Sequence, residues 1–292
     1  MKFQPSVAVL VAFIAASHLV QAAIPVKPGD KVAFLGDSIT QAGQGSPSGY
    51  VQLIGSGLAA NGVKIEIIGA GISGHKSDQM LERLERDVLS KKPQWMTLSC
   101  GVNDVWHGDK GVPLEDYKKN ITSIVDKAQA AGVKVVILTS TMIGEDQPNP
   151  NNQKLVSYNE FLRTLAKEKK CLLADLNAEM QVALAAAKAQ AKPGTNGNLL
   201  TSDGVHMGPA GNQMMALGVL KGFGLNAAEL AKAGNAWLDL PNASTVAAKM
   251  NLTQRQAQQL EKLAAARNTS VDTLLNEEFT KLVNSLLKSA KP

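Results

Sequence analysis

Short runs of β-branched and large apolar residues alternate with helical patterns along the first two thirds of the chain, and few architectures satisfy that alternation. The strand candidates are 31–35, 64–68, 95–99, 134–138 and 171–175. Between them, 50–61, 78–89, 114–131 and 155–168 carry apolar residues three and four apart, and several close on Gly or Asn, the usual helix stops. Strand, helix, strand in succession makes right-handed crossovers, so the spacing predicts an α/β fold: a parallel sheet covered by helices on both faces. Ligands of such sheets bind beyond the carboxyl ends of the strands. Gly36-Asp37-Ser38 follows the first strand, 69–74 the second and 101–104 the third, so these segments should gather on one rim. The Pro-, Asn- and Asp-rich 141–152 and the Gly/Asn-rich 193–204 could each wall a pocket there.

Across 292 residues, 45% hydrophobic and 19% charged content is enough for a sizeable core. A formal charge of +5 without a long Lys/Arg run argues against nucleic-acid binding. The first 22 residues place Lys2 ahead of an apolar run from Val7 to Val20, with Val20 and Ala22 at positions suited to cleavage. They are expected to form an export signal, 1–22, directing the mature chain to the periplasm or medium with no membrane span left; an uncleaved anchor is the alternative. Composition shifts near Gly224 towards Ala, Gln, Leu and Lys, which divides the remainder into 23–224 and a helical extension, 225–292. In that extension 253–267 and 270–287 have helical patterns and faintly resemble the helices of ribbon-helix-helix proteins, so packing or homodimer formation is expected of them.

Three chemical roles are legible separately. Ser38 directly follows a strand, where the next helix would present its hydroxyl and backbone N–H outward; alone, the tripeptide reads better as a polar turn with Ser capping a helix. In Asp203-Gly204-Val205-His206 the spacing lets the carboxylate fold back onto ring Nδ1 and leaves Nε2 for Ser38; alone, Asp203 could simply cap the helix near Pro209. Asn103, in Gly101-Val102-Asn103-Asp104, offers a side-chain N–H, which backbone N–H groups of Ser38 and of Gly74, in Gly71-Ile72-Ser73-Gly74, could join. A nucleophile, a base held in one tautomer and donors converging on an oxyanion are what acyl transfer requires.

The blocks GDSIT, GISG, GVND and DGVH, in this order, resemble the GDSL-type or SGNH hydrolase superfamily over roughly 31–222. The resemblance implies a flavodoxin-like three-layer sandwich with strand order 2-1-3-4-5 and neither metal nor cofactor. It also implies signature roles for Ser38, Gly74, Asn103 and His206, with Asp203 completing a triad and Asp37 and Asp104 in support. Two departures stand out: Ile39 replaces the usual Leu, and Gly69 stands where an Asn often opens the second block, which could loosen the positioning of Gly74. The Gly-x-Ser-x-Gly elbow of α/β-hydrolases is absent, because position 40 is Thr. With that strand order Cys100 and Cys171 are expected as buried thiols at opposite sheet edges, too far apart to bridge.

Substrate choice is less constrained. Trp106 could wall the acyl group, stack on a sugar or simply pack, and His75 and His107 lie nearby without the spacing of a metal site. An exported enzyme of this kind is expected to act on short acyl esters, acetyl on carbohydrate. A lipolytic or thioesterase role, or a non-catalytic carbohydrate-binding role, is the alternative.

Overall fold

Val32, Ala33, Phe34 and Leu35 are all fully buried, as a strand covered on both faces requires. The computed structural model describes residues 24–192, 194, 197–241 and 250–289; the expected leader lies outside them. Lys31–Gly36, Glu66–Gly71, Trp95–Ser99, Lys134–Leu138 and Leu172–Ala174, here β1 to β5, form one parallel sheet in the order β2-β1-β3-β4-β5. Among the described residues of the first unit, nine α-helices follow in chain order: Ser38–Gly45 (α1), Tyr50–Ala60 (α2), Ser77–Asp87 (α3), Val102–Trp106 (α4), Leu114–Ala130 (α5), Pro150–Glu168 (α6), Leu176–Gln190 (α7), Pro209–Gly222 (α8) and Ala227–Leu238 (α9). Packing of α3 on α5 and α5 on α6 makes one covering layer, and α2 with α8 and α9, and α8 with α7, the other. The result is the expected three-layer α/β/α sandwich.

Where observed elements depart from expectation, local chemistry gives the reason. β2 runs later than 64–68 because Gly69, Ala70 and Gly71 pair with Phe34, Leu35 and Gly36, although glycines resemble loop in composition. Gly69 also accommodates the Gln44 side chain, which a Cβ there would overlap. α6 begins at Pro150 rather than 155, since the Asn149 side chain caps it and Pro suits the first turn. α4 occupies a segment expected as loop. Cys100 follows the central strand β3 and is buried, whereas Cys171 precedes the edge strand β5 and is only half-buried. They therefore do not sit at opposite edges; β4 separates them, and both are free thiols.

The chain divides into two units between Ser244 and Thr245, not after residue 224. Gly224 ends α8 in a left-handed turn, which looks like a boundary, but Leu225 is buried at once and Asn226 caps α9. Helix α9 then returns to α2, burying Ala233 and Trp237, whose Nε1–H donates to Leu53 O at 2.9 Å. The second unit contains Gln254–Ala266 (α10) and Val271–Ser289 (α11), which pack on one another. Among the described residues no helix is long and apolar enough to cross a membrane. Trp237→Ala should lower unfolding stability by about 3–5 kcal/mol in urea titrations; a loss below about 1 kcal/mol would mean that α9 contributes nothing to the first unit.

Candidate active site

The rim at the carboxyl ends of β1, β2 and β3 collects the residues singled out in the sequence. β1 ends at Gly36 and α1 starts at Ser38, with the Asp37 side chain accepting from Ile39 N–H at 2.9 Å. Ser38 is thus the first residue of a helix, where backbone N–H groups have no carbonyl of the same helix to bond. Its Oγ lies 2.9 Å from His206 Nε2, and His206 Nδ1 lies 2.7 Å from Asp203 Oδ2. The other oxygen, Asp203 Oδ1, accepts from Val205 N–H at 2.9 Å and His206 N–H at 2.8 Å, so one carboxylate fixes both the turn and the ring. A proton on Nδ1 satisfies that carboxylate and leaves Nε2 as an acceptor facing the Ser38 hydroxyl. The hydrogen bond from His206 holds the Asp203 carboxyl at about 2, so it stays ionised at any ordinary pH.

The neighbouring loop is fixed from three sides. Ile72 N–H donates to Gly36 O at 3.1 Å, Ser73 N–H to Gln41 Oε1 at 2.8 Å, and His75 N–H to Ile72 O at 3.3 Å, closing a turn in which Gly74 takes a φ of +76°. The buried Arg83 guanidinium donates to Gly36 O and Ala70 O, each at 2.8 Å, and to His75 Nδ1 at 3.1 Å. Gln41 and Arg83 therefore supply support that the missing Asn at position 69 would otherwise be asked to give. On the other side Asn103, buried on α4, donates from Nδ2 to His75 O at 3.2 Å. Asp104 accepts from Ser77 N–H at 3.0 Å and from the Cys100 thiol at 3.5 Å, tying α4 to the start of α3. At Gly101, φ is +133° and a Cβ would collide with the Ser140 hydroxyl, so only glycine serves between β3 and α4.

Hydrogen bonds thus link Ser38 to His206 and His206 to Asp203, and Asn103 to His75, the residue after Gly74. The three residues suggested as substrate walls differ in what holds them. Trp106 is 45% exposed beside His107. His107 Nε2 sits 3.2 Å from Asn103 Oδ1, and His75 is held by Arg83. Gln41, Arg83, Glu145 and Thr201 were not legible as site residues, because their contribution is to hold backbone that the motifs contain.

A parallel sandwich with this rim defines a class of hydrolases that act on acyl bonds without a Gly-x-Ser-x-Gly elbow. Residues 34–214 match the GDSL-like lipase/acylhydrolase family, and the chain belongs to it; it is a carboxylic ester hydrolase. It is 27% identical over 215 residues to an acetylxylan esterase of Geobacillus stearothermophilus, covering 67% of this chain and 94% of that one. Esterase TesA of Pseudomonas aeruginosa is 29% identical over 140 residues, 48% of this chain and 66% of the relative. Among solved structures, the acetyl xylan esterase AlAXEase superposes with a TM-score of 0.60 at 35% identity, over 65% of this chain and 98% of its own.

Two carboxyls lie buried under the rim. Burial pushes Asp37 up to about 6, with Asp104 adding to the rise, while the Ile39 N–H and His206 work against it. Burial likewise raises Asp104, against hydrogen bonds from Ser77. A carboxyl raised by folding stabilises the fold fully below its unfolded value, and that stability is lost as pH rises through the folded one. For Asp37 the window therefore runs from 3.8 to about 6. Asp37→Asn keeps the acceptor for Ile39 N–H and removes the charge. The variant should gain on the order of 3 kcal/mol over wild type at pH 8 and nothing at pH 3, measured by denaturant unfolding across that range. A difference that does not vary with pH would show that Asp37 does not titrate there.

Proposed function

We propose that Ser38 attacks the ester carbonyl while His206 takes its proton, with Asp203 holding the imidazole in the required tautomer and stabilising the imidazolium. The observation that carries this is the unbroken relay Ser38 Oγ, His206 Nε2, His206 Nδ1, Asp203 Oδ2, with links of 2.9 and 2.7 Å. The oxyanion is received by Asn103 Nδ2–H and by the backbone N–H groups of Ser38 and Gly74. His206 then protonates the leaving alcohol, and water, deprotonated by His206, releases the acid from the acyl-enzyme. Removing one oxyanion donor should cost about 3 kcal/mol, on the order of a hundredfold in rate. His107 orients Asn103 by donating from Nε2 to Oδ1, which turns the amide N–H groups towards His75 O and the oxyanion.

The substrate class is proposed as short acyl esters, acetyl groups on carbohydrate. Likeness to acetylxylan esterases supports it, and so does Trp106, an exposed indole three residues beyond Asn103 that offers a sugar ring a stacking face. Export through 1–22 fits a polymeric extracellular substrate. The exposed Phe279, Leu282 and Leu286 of α11 favour self-association of the C-terminal unit.

Turnover of p-nitrophenyl acetate should vanish in Ser38→Ala, and an organophosphonate should label wild type at Ser38 alone; labelling without loss in the mutant, or neither, would overturn the assignment. Rates on nitrophenyl esters should fall steeply from acetate to palmitate, and a rise towards long chains would replace acetyl esters with lipids. His107→Ala should lower kcat about three- to tenfold, the worth of one hydrogen bond of roughly 1 kcal/mol, with KM for p-nitrophenyl acetate unchanged. A change in KM alone would make His107 a substrate contact instead.

A further inference from the structure

Glu145 lies between β4 and α6, in a segment where the sequence suggests only a pocket wall. Its carboxylate accepts four hydrogen bonds from one stretch of chain: Oε2 from Leu199 N–H at 2.6 Å, and Oε1 from Leu200 N–H at 2.8 Å and from the N–H and hydroxyl of Thr201, both at 2.7 Å. Bonds to an ionised acceptor are the strong kind, and four to one side chain fix both position and orientation. Burial alone would raise Glu145, but the donors of Leu199, Thr201 and Leu200 outweigh it and hold the carboxyl below the usual glutamate range.

The segment that presents Glu145 is itself anchored. Asn149, the cap of α6, donates to Ile143 O and Asp146 O, each at 2.7 Å, and the buried Asn152 accepts from Ile143 N–H at 2.8 Å and donates to Asp146 O at 2.9 Å. Gly144 N–H adds a bond to Gly204 O at 2.6 Å, inside the Asp203–His206 turn. On the receiving side, Thr201 Oγ1 accepts from Gly204 N–H at 3.1 Å, Ser202 N–H donates to His206 O at 2.8 Å, and Thr201 bridges to Met207. Displacement of Thr201 therefore reaches both ends of the turn that carries Asp203 and His206. Leu200 is buried and its O accepts from Gly208 N–H at 2.8 Å, which fixes one carbonyl, whereas Glu145 fixes three successive N–H groups and a hydroxyl.

We infer that Glu145 is a positioning residue that sets the His206 Nε2 to Ser38 Oγ distance without touching substrate. The inference rests on the triad proposed above. A misplacement of about 1 Å can cost on the order of a hundredfold in rate even when its cause is remote from the chemistry.

The test is Glu145→Gln in the full chain, whose amide keeps the size and one oxygen but turns an N–H group against a donor. Readouts are kcat and KM on p-nitrophenyl acetate, the rate of phosphonylation of Ser38, the folded fraction, and the downfield proton resonance of His206 Nδ1. Glu145→Gln should lower kcat and phosphonylation tenfold or more, leave KM within twofold, and broaden or abolish the resonance while the protein stays folded. Thr201→Val, which removes one donor, should show a smaller loss of the same kind, and the double variant should fall short of the product of the two. Wild-type kcat and resonance in Glu145→Gln would overturn the inference, as would a loss of kcat that only tracks the folded fraction. If Glu145→Gln does not fold, Thr201→Val decides: kcat within twofold of wild type overturns the inference. Ser38→Ala is run in parallel. Turnover persisting there would remove the triad itself, whereas an inactive Ser38→Ala beside an unimpaired Glu145→Gln would remove Glu145 alone.

Discussion

The hydrogen bond from Ser38 Oγ to His206 Nε2 joins positions 168 residues apart, and its 2.9 Å length depends on how firmly each end is held. The fold treats the two ends unequally. Ser38 follows β1, which is paired on both sides, and its place on the rim is fixed by the same ladders that make the core. His206 has no strand beneath it; it hangs on a loop before α8, ordered by directed polar bonds. A misfit of a few tenths of an ångström at this contact would weaken a bond whose geometry matters steeply, so most of the buried polar chemistry around the rim can be understood as support for that one distance.

The oxyanion side follows the same logic with a cation in place of a carboxylate. Arg83 is buried, which is costly unless its donors are met, and they are met by Gly36 O at the end of β1, by Ala70 O one residue before the end of β2, by His75 and by Asp87 at 3.1 Å. The cost of burying the charge becomes rigidity, because each partner lost would leave an unpaired donor in an apolar setting. Gln41, one turn beyond Ser38 on α1, then links the nucleophile's own helix to Ser73. The start of α1, the Gly74 turn and Asn103 thus behave as one block.

The sequence was most informative where periodicity or motif carries the signal. β3 and β4 were placed to the residue, and strand alternation was enough for the layers. The motif residues Ser38, Asn103, Asp203 and His206 converge because each follows the carboxyl end of a strand or returns to that rim. What stayed hidden has a common physical cause. β2 ends in glycines that pair like any other residue, α6 opens with Pro and Asn that cap as readily as they turn, and α9 comes after a glycine that reverses the chain without ending the unit. Glu145 and Arg83 bond to main-chain atoms, and a main-chain acceptor or donor leaves no mark on residue type. Only the Asn-to-Gly departure at position 69 hinted that some other side chain had taken over the support of Gly74.

The buried Asp37 completes the physical picture, since its ionised form is unfavourable for stability. Above its raised midpoint of about 6 it is a buried carboxylate, beside the raised carboxyl of Asp104. Such a charge persists only where the surrounding structure enforces it. In the proposed mechanism positive charge appears on His206 as Ser38 attacks, and His206 is among the groups that act electrostatically on Asp37. An ionised Asp37 favours that imidazolium more than it favours the resting neutral ring, so its effect is larger in the transition state than in the ground state. The N-cap bond to Ile39 then has two consequences at once: it starts the helix that presents Ser38, and it holds a negative charge beneath the site where the proton arrives. Stability forgone at Asp37 and orientation gained through Glu145 are opposite entries in the same balance, one favouring charge on His206 and the other fixing where that charge sits.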